Sequence, residues 1–146
     1  MAKLRRRRPV GGTLVLDAEG LVKLASGHPL AMSLARDTYQ AEAEIVTAAT
    51  TLAEVLRGGP RDALVHRILS RVTVSSIGEE QGRAAGELLG RTGLSGHRCA
   101  LDALLAVVAL AQPRPVIVLT SDMDDMRRLT EEPSVRKAER VEVALI

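Results

Sequence analysis

The sequence alternates short apolar runs with longer helical segments, and this alternation constrains the fold more than any other feature. Five runs rich in Leu, Val, Ile and Thr have the length of strands, at residues 13–16, 44–48, 72–75, 116–119 and 141–145. Strands of a parallel sheet lack a polar face because helices cover both sides of the sheet. The pattern therefore predicts an α/β fold with three layers, α/β/α, around a central parallel sheet of four to five strands.

The segments between these runs have helical signals. They predict helices at residues 21–24, 29–43, 51–56, 61–70, 79–91 and 98–112, and a short helix that ends at residue 129. Pro29 suits the first turn of its helix, and Gly93 and Pro113 follow the ends of two others. The chain shows no internal repeat and no linker, so we expect residues 13–146 to form a single domain.

Composition narrows the class of protein. Tyr39 is the only aromatic residue, so the core must consist of Leu, Val, Ile and Ala, and RNA binding by stacked aromatic side chains is excluded. The single cysteine, Cys99, cannot form an intramolecular disulfide and fits a reducing cytoplasm. No apolar run has the length of a signal peptide or a membrane span. We therefore expect a cytoplasmic protein without a membrane partner.

Residues 1–12 are predicted to be a basic, flexible tail that contains the run Arg5, Arg6, Arg7 and Arg8. Blocks of like charge usually stay solvated and unfolded. A basic tail can also bind nucleic acid or an anionic membrane by releasing counterions. The sequence leaves both interpretations open.

Two acidic residues come directly after predicted strands. Asp17 ends the first strand and Asp122 follows the fourth. In open parallel sheets, ligands bind at the carboxyl ends of strands where the strand order reverses. If these two strands are neighbours, both carboxylates face one crevice. The alternative is that each Asp caps the helix that follows it.

Asp102 and Glu54 lie in predicted helices. Asp102 is surrounded by Ala, Leu and Val in a helix that we expect to be largely buried, where a carboxylate needs an ionic partner or a metal. Arg98, four residues earlier, is its alternative partner. Glu54 follows Thr51 at the spacing of a capping box, which would make it structural.

Taken together, these acids indicate a metal site. Crowded carboxylates repel one another and raise their own pKa values unless a cation joins them. Clusters of oxygen ligands suit Mg²⁺ or Mn²⁺, which also bind phosphates. Such an ion can activate water for attack on phosphorus.

Four strings of the sequence resemble the blocks of the PIN-domain family, as found in bacterial VapC toxins. They are LVLDAEGLVKL from residue 14, TLAEVL from residue 51, ALDALLAVVAL from residue 100 and VIVLTSDMDDMRRL from residue 116. Each string alone has little specificity, but the four occur in the expected order and cover nearly the whole chain.

The resemblance implies a metal-dependent endoribonuclease that cleaves tRNA or ribosomal RNA and serves as the toxin of a VapBC-type toxin–antitoxin pair. It implies a homodimer that is silenced by a cognate VapB-type antitoxin. It also implies that Asp17, Asp102 and Asp122 are metal ligands and that Glu54 acts through water. Two residues depart from the family pattern: Glu19 adds a charge near the site, and Gly20 weakens the first helix.

The remaining site residues have supporting roles in this interpretation. Asp125 would be a further metal ligand, with Asp124 as the alternative. Thr120 and Ser121 would orient the metal site by hydrogen bonds. Arg98 and Arg127 are candidate RNA-binding residues because they lie near the acids in sequence.

Two other functions remain open. A phosphatase-like phosphoryl-transfer enzyme also uses acids at strand ends, but Asp17 lacks the adjacent second Asp of those sites. A non-catalytic protein that keeps the fold for interaction or regulation would be expected to lose an acid, and all four are present. His28, His66 and His97 have no ligand partner at metal-binding spacing, so we expect them to be structural.

Overall fold

The computed structural model describes residues 11–146, which form a five-stranded sheet with all strands parallel. The strand order is β3-β2-β1-β4-β5. The strands are β1 (Thr13–Leu16), β2 (Glu44–Ala48), β3 (Thr73–Ser75), β4 (Val116–Thr120) and β5 (Glu142–Leu145). The predicted parallel sheet is confirmed, with five strands.

Seven α-helices of the described chain cover the sheet. They are α1 (Ala18–Ala25), α2 (Pro29–Gln40), α3 (Ala49–Val55), α4 (Ala63–Leu69), α5 (Glu79–Thr92), α6 (Gly96–Leu110) and α7 (Met123–Leu129). Two short 3₁₀ helices occur at Pro60–Asp62 and Lys137–Glu139. The single domain over residues 13–146 stays a prediction, and the predicted basic tail of residues 1–12 lies mostly outside the described residues.

The core consists of two apolar layers, one on each face of the sheet. Leu14 and Leu16 of β1 face one layer, together with α1, α2 and α4. Val15 faces the other layer, together with α5, α6 and α7. Adjacent residues of a strand point to opposite faces, so one apolar run serves both layers. This arrangement confirms the three-layer α/β/α architecture and the aliphatic core.

Four helix boundaries differ from the prediction, and the first two differences matter for the site. α1 begins at Ala18, directly after Asp17, because the Asp17 side chain caps it. α3 begins at Ala49 with Ala48 as its N-cap, so the predicted capping box of Thr51 and Glu54 is wrong. The predicted helix at 29–43 ends at residue 40, and that at 61–70 is helical from residue 63 after a 3₁₀ turn.

The sheet places a crevice between β1 and β4. Along the chain, β2 and β3 are added in turn on one side of β1, and β4 and β5 are then added on its other side. The strand order thus reverses at the β1–β4 pair, where a parallel sheet opens a crevice beyond its carboxyl ends. The condition that the strands before Asp17 and Asp122 are neighbours is met, since β1 pairs with β4.

Within residues 11–146 no single helix is both long and apolar enough to cross a bilayer. Only α5 and α6 taken together reach that length and composition, and they are bent by 118° at the break between them.

Candidate active site

Three carboxylates meet at the carboxyl end of the sheet. Asp102 of α6, Asp122 before α7 and Asp125 of α7 each offer an oxygen atom within 4.8 Å of the other two. Asp102 and Asp125 are half-buried, whereas Asp122 is exposed. The three residues, which we call the acidic trio, line a cleft of about 320 Å³ between the start of α6 and the start of α7. The geometry of the trio suits a cation that shares their oxygens.

Asp17 lies beside the trio and is held by backbone donors on both oxygens. Its Oδ1 accepts a hydrogen bond from the Gly20 amide at 2.7 Å, and its Oδ2 accepts one from the Ser121 amide at 3.0 Å. The first bond caps α1, and the second joins the end of β1 to the end of β4. Asp17 is therefore both a helix cap and a buried carboxylate at the crevice, and the two interpretations of this residue are compatible.

Gly20 makes this position of Asp17 possible. A Cβ atom at residue 20 would lie 2.9 Å from the carbonyl oxygen of Leu119 and 3.4 Å from Oδ1 of Asp17. Real Cβ atoms do not approach a backbone oxygen so closely, so a larger residue would push α1 away from β4. The glycine that lowers helix propensity is thus required by the packing of the site.

The charge of Asp102 is poorly compensated. Burial raises the pKa of Asp102, and the carboxylates of Asp122, Asp17, Glu54 and Asp125 raise it further, to about 6. Arg98 does not offset this effect, since it makes no ion pair with Asp102 in the described structure. Helix α6 was expected to be largely buried, but it is partly exposed, as the 39% exposure of Leu101 shows. Asp102 thus faces a cleft crowded with negative charge, as a cation site requires.

Glu54 lies at the rim, near the end of α3. Its pKa is raised by partial loss of solvent around the carboxyl group and by the charge of Asp17. The residue as a whole is exposed, and it does not belong to the acidic trio. With the capping box excluded, the Glu54 side chain has no capping role in α3.

The segment after β4 holds Asp122 and Asp125 in place. Thr120 Oγ1 accepts a hydrogen bond from the Asp122 amide at 3.0 Å. Asp122 Oδ1 in turn accepts one from the Asp125 amide at 3.3 Å and caps α7. The backbone amide of Ser121 donates a hydrogen bond to Asp17, and Ser121 itself is exposed. Asp124 is exposed and lies outside the trio, whereas Asp125 belongs to it.

The two candidate RNA-binding arginines lie in different places. Arg98 is exposed and lines the cleft of the acidic trio. Arg127 lines a separate groove, together with Lys137 and Arg140. The structure therefore brings Arg98 to the site and does not bring Arg127 there.

Sequence reasoning assigned Cys99 to the core and missed its place in the cleft. The thiol is buried, as predicted, but its Sγ atom lies 3.7 Å from Oδ2 of Asp125 and the residue lines the cleft. Burial and the charge of Asp125 raise the pKa of Cys99. The spacing of three residues between Cys99 and Asp102 could have revealed this, because such residues share a helix face.

Comparison with known proteins identifies the family. The model of the PIN domain matches residues 14–132, which is most of the chain. The chain belongs to the PIN-domain family. PIN domains are generally nucleases and generally use divalent metals.

A solved structure shares the fold of this PIN domain. It is described as VapBC2 from Rickettsia felis bound to a DNA fragment from their promoter. The sequences are 17% identical, the TM-score is 0.64, and the match covers 90% of this chain and 98% of that chain. No functionally curated protein shows a significant sequence match to this PIN domain.

Proposed function

We propose that this PIN domain is an endoribonuclease that depends on Mg²⁺ or Mn²⁺ and acts as the toxin of a VapBC-type toxin–antitoxin pair. Its substrate would be tRNA or ribosomal RNA, cleaved at a phosphodiester bond. The observation that supports this most is the acidic trio, which lies beside Asp17 at the reversal of the strand order. The resemblance of the four sequence blocks and membership of a nuclease family agree with it.

The donor set fits a hard divalent cation. All the carboxylates at the site offer oxygen, and Mg²⁺ and Mn²⁺ prefer oxygen ligands. Asp102, Asp122 and Asp125 would bind the ion directly. Asp17 would join them, because each of its oxygens accepts only one hydrogen bond and keeps a free lone pair. Glu54 would act through a water molecule.

When bound, the ion would lower the pKa of a water molecule and stabilise the leaving oxygen at phosphorus. The chain itself would position the reactants. Glu54 has a raised pKa and would accept a proton from the attacking water. Thr120 holds the backbone of Asp122 and the Ser121 amide holds the carboxylate of Asp17, so these ligands would need little rearrangement to bind an ion. Arg98 would contact the RNA at the cleft, with Arg127 as a more distant contact.

The proposed partners are a VapB-type antitoxin and a second copy of the chain. The structural neighbour is a VapBC2 assembly, which supports an antitoxin of that type. The layer formed by α1, α2 and α4 exposes several large apolar side chains to about half of their area, namely Val22 at 40%, Leu30 at 41%, Met32 at 40% and Leu64 at 52%. We expect a partner to cover these side chains if they form one contiguous apolar patch.

Incubation of the purified protein with total RNA tests the activity. We expect cleavage with Mg²⁺ or Mn²⁺ and none with EDTA. An Asp102→Asn variant is the matched control, since it removes one charge and leaves the hydrogen bonds of Asp17 intact, and Asp17→Asn is a second control. Equal cleavage by wild type and both folded variants would show a contaminating nuclease and would overturn the proposal.

Co-expression tests the toxin role. We expect expression of the wild-type protein to stop growth, and expression of Asp102→Asn not to. A short open reading frame beside the gene, if it encodes a protein with a DNA-binding N-terminus, should restore growth and copurify with the toxin. Growth arrest that is equal for wild type and Asp102→Asn would contradict the role.

A further inference from the structure

The charges of the described chain are distributed unequally over its length. Residues 11–146 contain 15 basic and 18 acidic residues, for a net charge of −3. Within them, residues 55–78 contain four basic residues and one acidic residue, for a net charge of +3. The four basic residues, which we call the arginine patch, are Arg57, Arg61, Arg67 and Arg71. All four are exposed, and none of them forms an ion pair within residues 11–146.

The one acidic residue of this segment does not pair with the arginine patch. Asp62 is buried, and its Oδ2 accepts hydrogen bonds from the amides of Arg57 at 3.0 Å and Gly58 at 2.8 Å. The backbone of the loop between α3 and α4 therefore stabilises the charge of Asp62. The same two bonds hold Arg57 beside the 3₁₀ turn that contains Arg61.

Helix α4 extends the arginine patch along the side of the domain. Arg67 lies in the last turn of α4, and the chain stays helical to Arg71, whose amide donates to the Ile68 carbonyl at 2.9 Å. Residues four apart on a helix lie on the same face. From Arg61 to Arg71 the helical rise gives about 15 Å. Val65 packs into the core from this helix, so the patch is carried by a fixed element.

One end of the arginine patch lies at the rim of the proposed active site. Nη1 of Arg57 donates to the carbonyls of Ala53 and Leu56 at 3.0 and 2.8 Å, so the guanidinium group lies against the end of α3. Glu54 belongs to the same turn of α3, and it lies close enough to Asp17 for that charge to raise its pKa. Helix α4 in turn packs against α1, the helix that Asp17 caps. The patch therefore begins beside the acids and leads away from them.

The cleft itself offers little positive charge to a polyanion. It is lined by the acidic trio, and Arg98 is the one basic residue that the described chain contributes to its lining. A divalent ion would offset only part of this negative charge. The approach of RNA to the cleft is therefore unfavourable unless positive charge nearby on the protein attracts the strand.

We propose that the arginine patch binds phosphates of the RNA strand on one side of the bond that is cleaved. This inference rests on the proposed ribonuclease function. Guanidinium groups bind phosphates through two parallel hydrogen bonds and release condensed counterions from the strand. Phosphate contacts position a nucleic acid and carry no base information. The patch thus raises the affinity for RNA and leads the strand into the cleft, which chooses the bond.

Fluorescence anisotropy with a labelled single-stranded RNA in EDTA tests the arginine patch without any cleavage. The test variant replaces Arg61, Arg67 and Arg71 by Gln and keeps Arg57, because Arg57 also binds carbonyls at the end of α3. We expect RNA affinity at low salt to fall at least about fivefold and the slope of log affinity against log salt to become shallower by about 2. With Mn²⁺ present, KM should rise while kcat changes little, because the patch contacts no reacting atom.

A matched control variant removes the same number of charges from other parts of the surface. It replaces three exposed arginines outside the patch by Gln, namely Arg36, Arg83 and Arg136. We expect a clearly smaller change of affinity and slope, although the net charge of the control equals that of the test variant. Equal effects of the two variants would show that only net charge matters and would overturn the proposal.

Two further results would overturn the proposal. One is unchanged RNA affinity in a test variant that is folded by its thermal unfolding. The other is a loss of affinity that accompanies a change of oligomeric state in sedimentation, which would assign the arginines to a protein interface. Failure of the ribonuclease function is a separate outcome, because Asp102→Asn should lose cleavage and retain RNA binding, whereas the test variant should lose binding and retain kcat.

Discussion

Two neighbouring parts of the site solve the problem of a buried carboxylate in opposite ways. At the corner between β1 and α1, Asp17 accepts hydrogen bonds from the amides of Gly20 and Ser121, so its negative charge is stabilised by fixed dipoles. In the acidic trio, the charge of Asp102 faces other carboxylates, and its pKa is raised to about 6. The first part is stabilised by the protein's own backbone donors, whereas the second would need a cation to offset its charge.

The contrast separates a part of the site that stabilises the fold from a part in which the carboxylates repel one another. The β1–α1 corner stabilises the fold, because it caps a helix and joins two strands at once. We expect the acidic trio to destabilise the fold when no cation is bound, because like charges are held within a few ångströms of one another. Stability that is sacrificed at one place in a fold commonly marks a functional site.

The largest effect is expected from a change of Asp102 in the acidic trio. Asp102→Asn should lower the rate of RNA cleavage by more than about 100-fold, because loss of outer partners of metal ligands alone typically costs 10- to 100-fold. The measurement is the initial rate of cleavage of a defined RNA with saturating Mn²⁺. Retention of more than a third of the activity would remove Asp102 from the metal site.

The next largest effect is expected from a change of Asp17 at the β1–α1 corner. Asp17→Ala removes the acceptor of two amide hydrogen bonds and should lower the free energy of unfolding by about 2–4 kcal/mol. Asp17→Asn keeps one carbonyl acceptor and should lose less. Urea denaturation in EDTA measures both. If Asp17→Ala is as stable as the wild type, the hydrogen bonds of Asp17 contribute nothing and the comparison fails.

Two glycine variants test the packing of the β1–α1 corner. Gly20→Ala should lower the free energy of unfolding by about 1–3 kcal/mol, because the new Cβ meets the Leu119 carbonyl at 2.9 Å. Gly86→Ala is the matched control in α5, where a Cβ meets nothing within 4 Å. That variant should raise the free energy of unfolding by about 0.5–1 kcal/mol, as expected for alanine in a helix. Changes of the same sign would contradict the account.

The smallest effect concerns the trio without metal. Since folding raises the pKa of Asp102, the folded state retains a proton that the unfolded state releases between about pH 4 and pH 6. The stability of the metal-free protein should therefore fall as pH rises through this window. Asp102→Asn should be less sensitive to pH and about 1–2 kcal/mol more stable at pH 7, roughly 3–6 °C in Tm. A less stable variant would show that the Asp102 charge is compensated.

The main features of the fold could be predicted because they depend on periodicity. Apolar runs and helix signals gave the five strands and their parallel sheet within one or two residues. The meeting of Asp17 and Asp122 followed from a general rule about strand ends, although the rule required β1 and β4 to be neighbours, which no local pattern determines.

The parts that sequence reasoning missed depend on contacts between distant segments. The Thr51 and Glu54 pattern predicted a cap, but tertiary packing starts α3 two residues earlier, at Ala49. From the sequence, Gly20 was expected only to weaken the first helix. In the structure, the carbonyl of Leu119 in β4, about 100 positions along the chain, leaves no room for a Cβ atom at residue 20. Which of Asp124 and Asp125 lies beside Asp122 depended on where α7 begins, since the third residue of a helix folds back towards its cap.

The most direct test of the central claim is a calorimetric titration of the metal-free protein with Mn²⁺ at pH 7.5 and at pH 5. We expect binding at pH 7.5 that weakens at pH 5, where the raised pKa of Asp102 leaves its carboxyl mostly protonated, and that is lost in Asp102→Asn at both pH values. Absence of binding by the wild type, or equal binding by wild type and Asp102→Asn, would contradict the claim that these acids share a divalent ion.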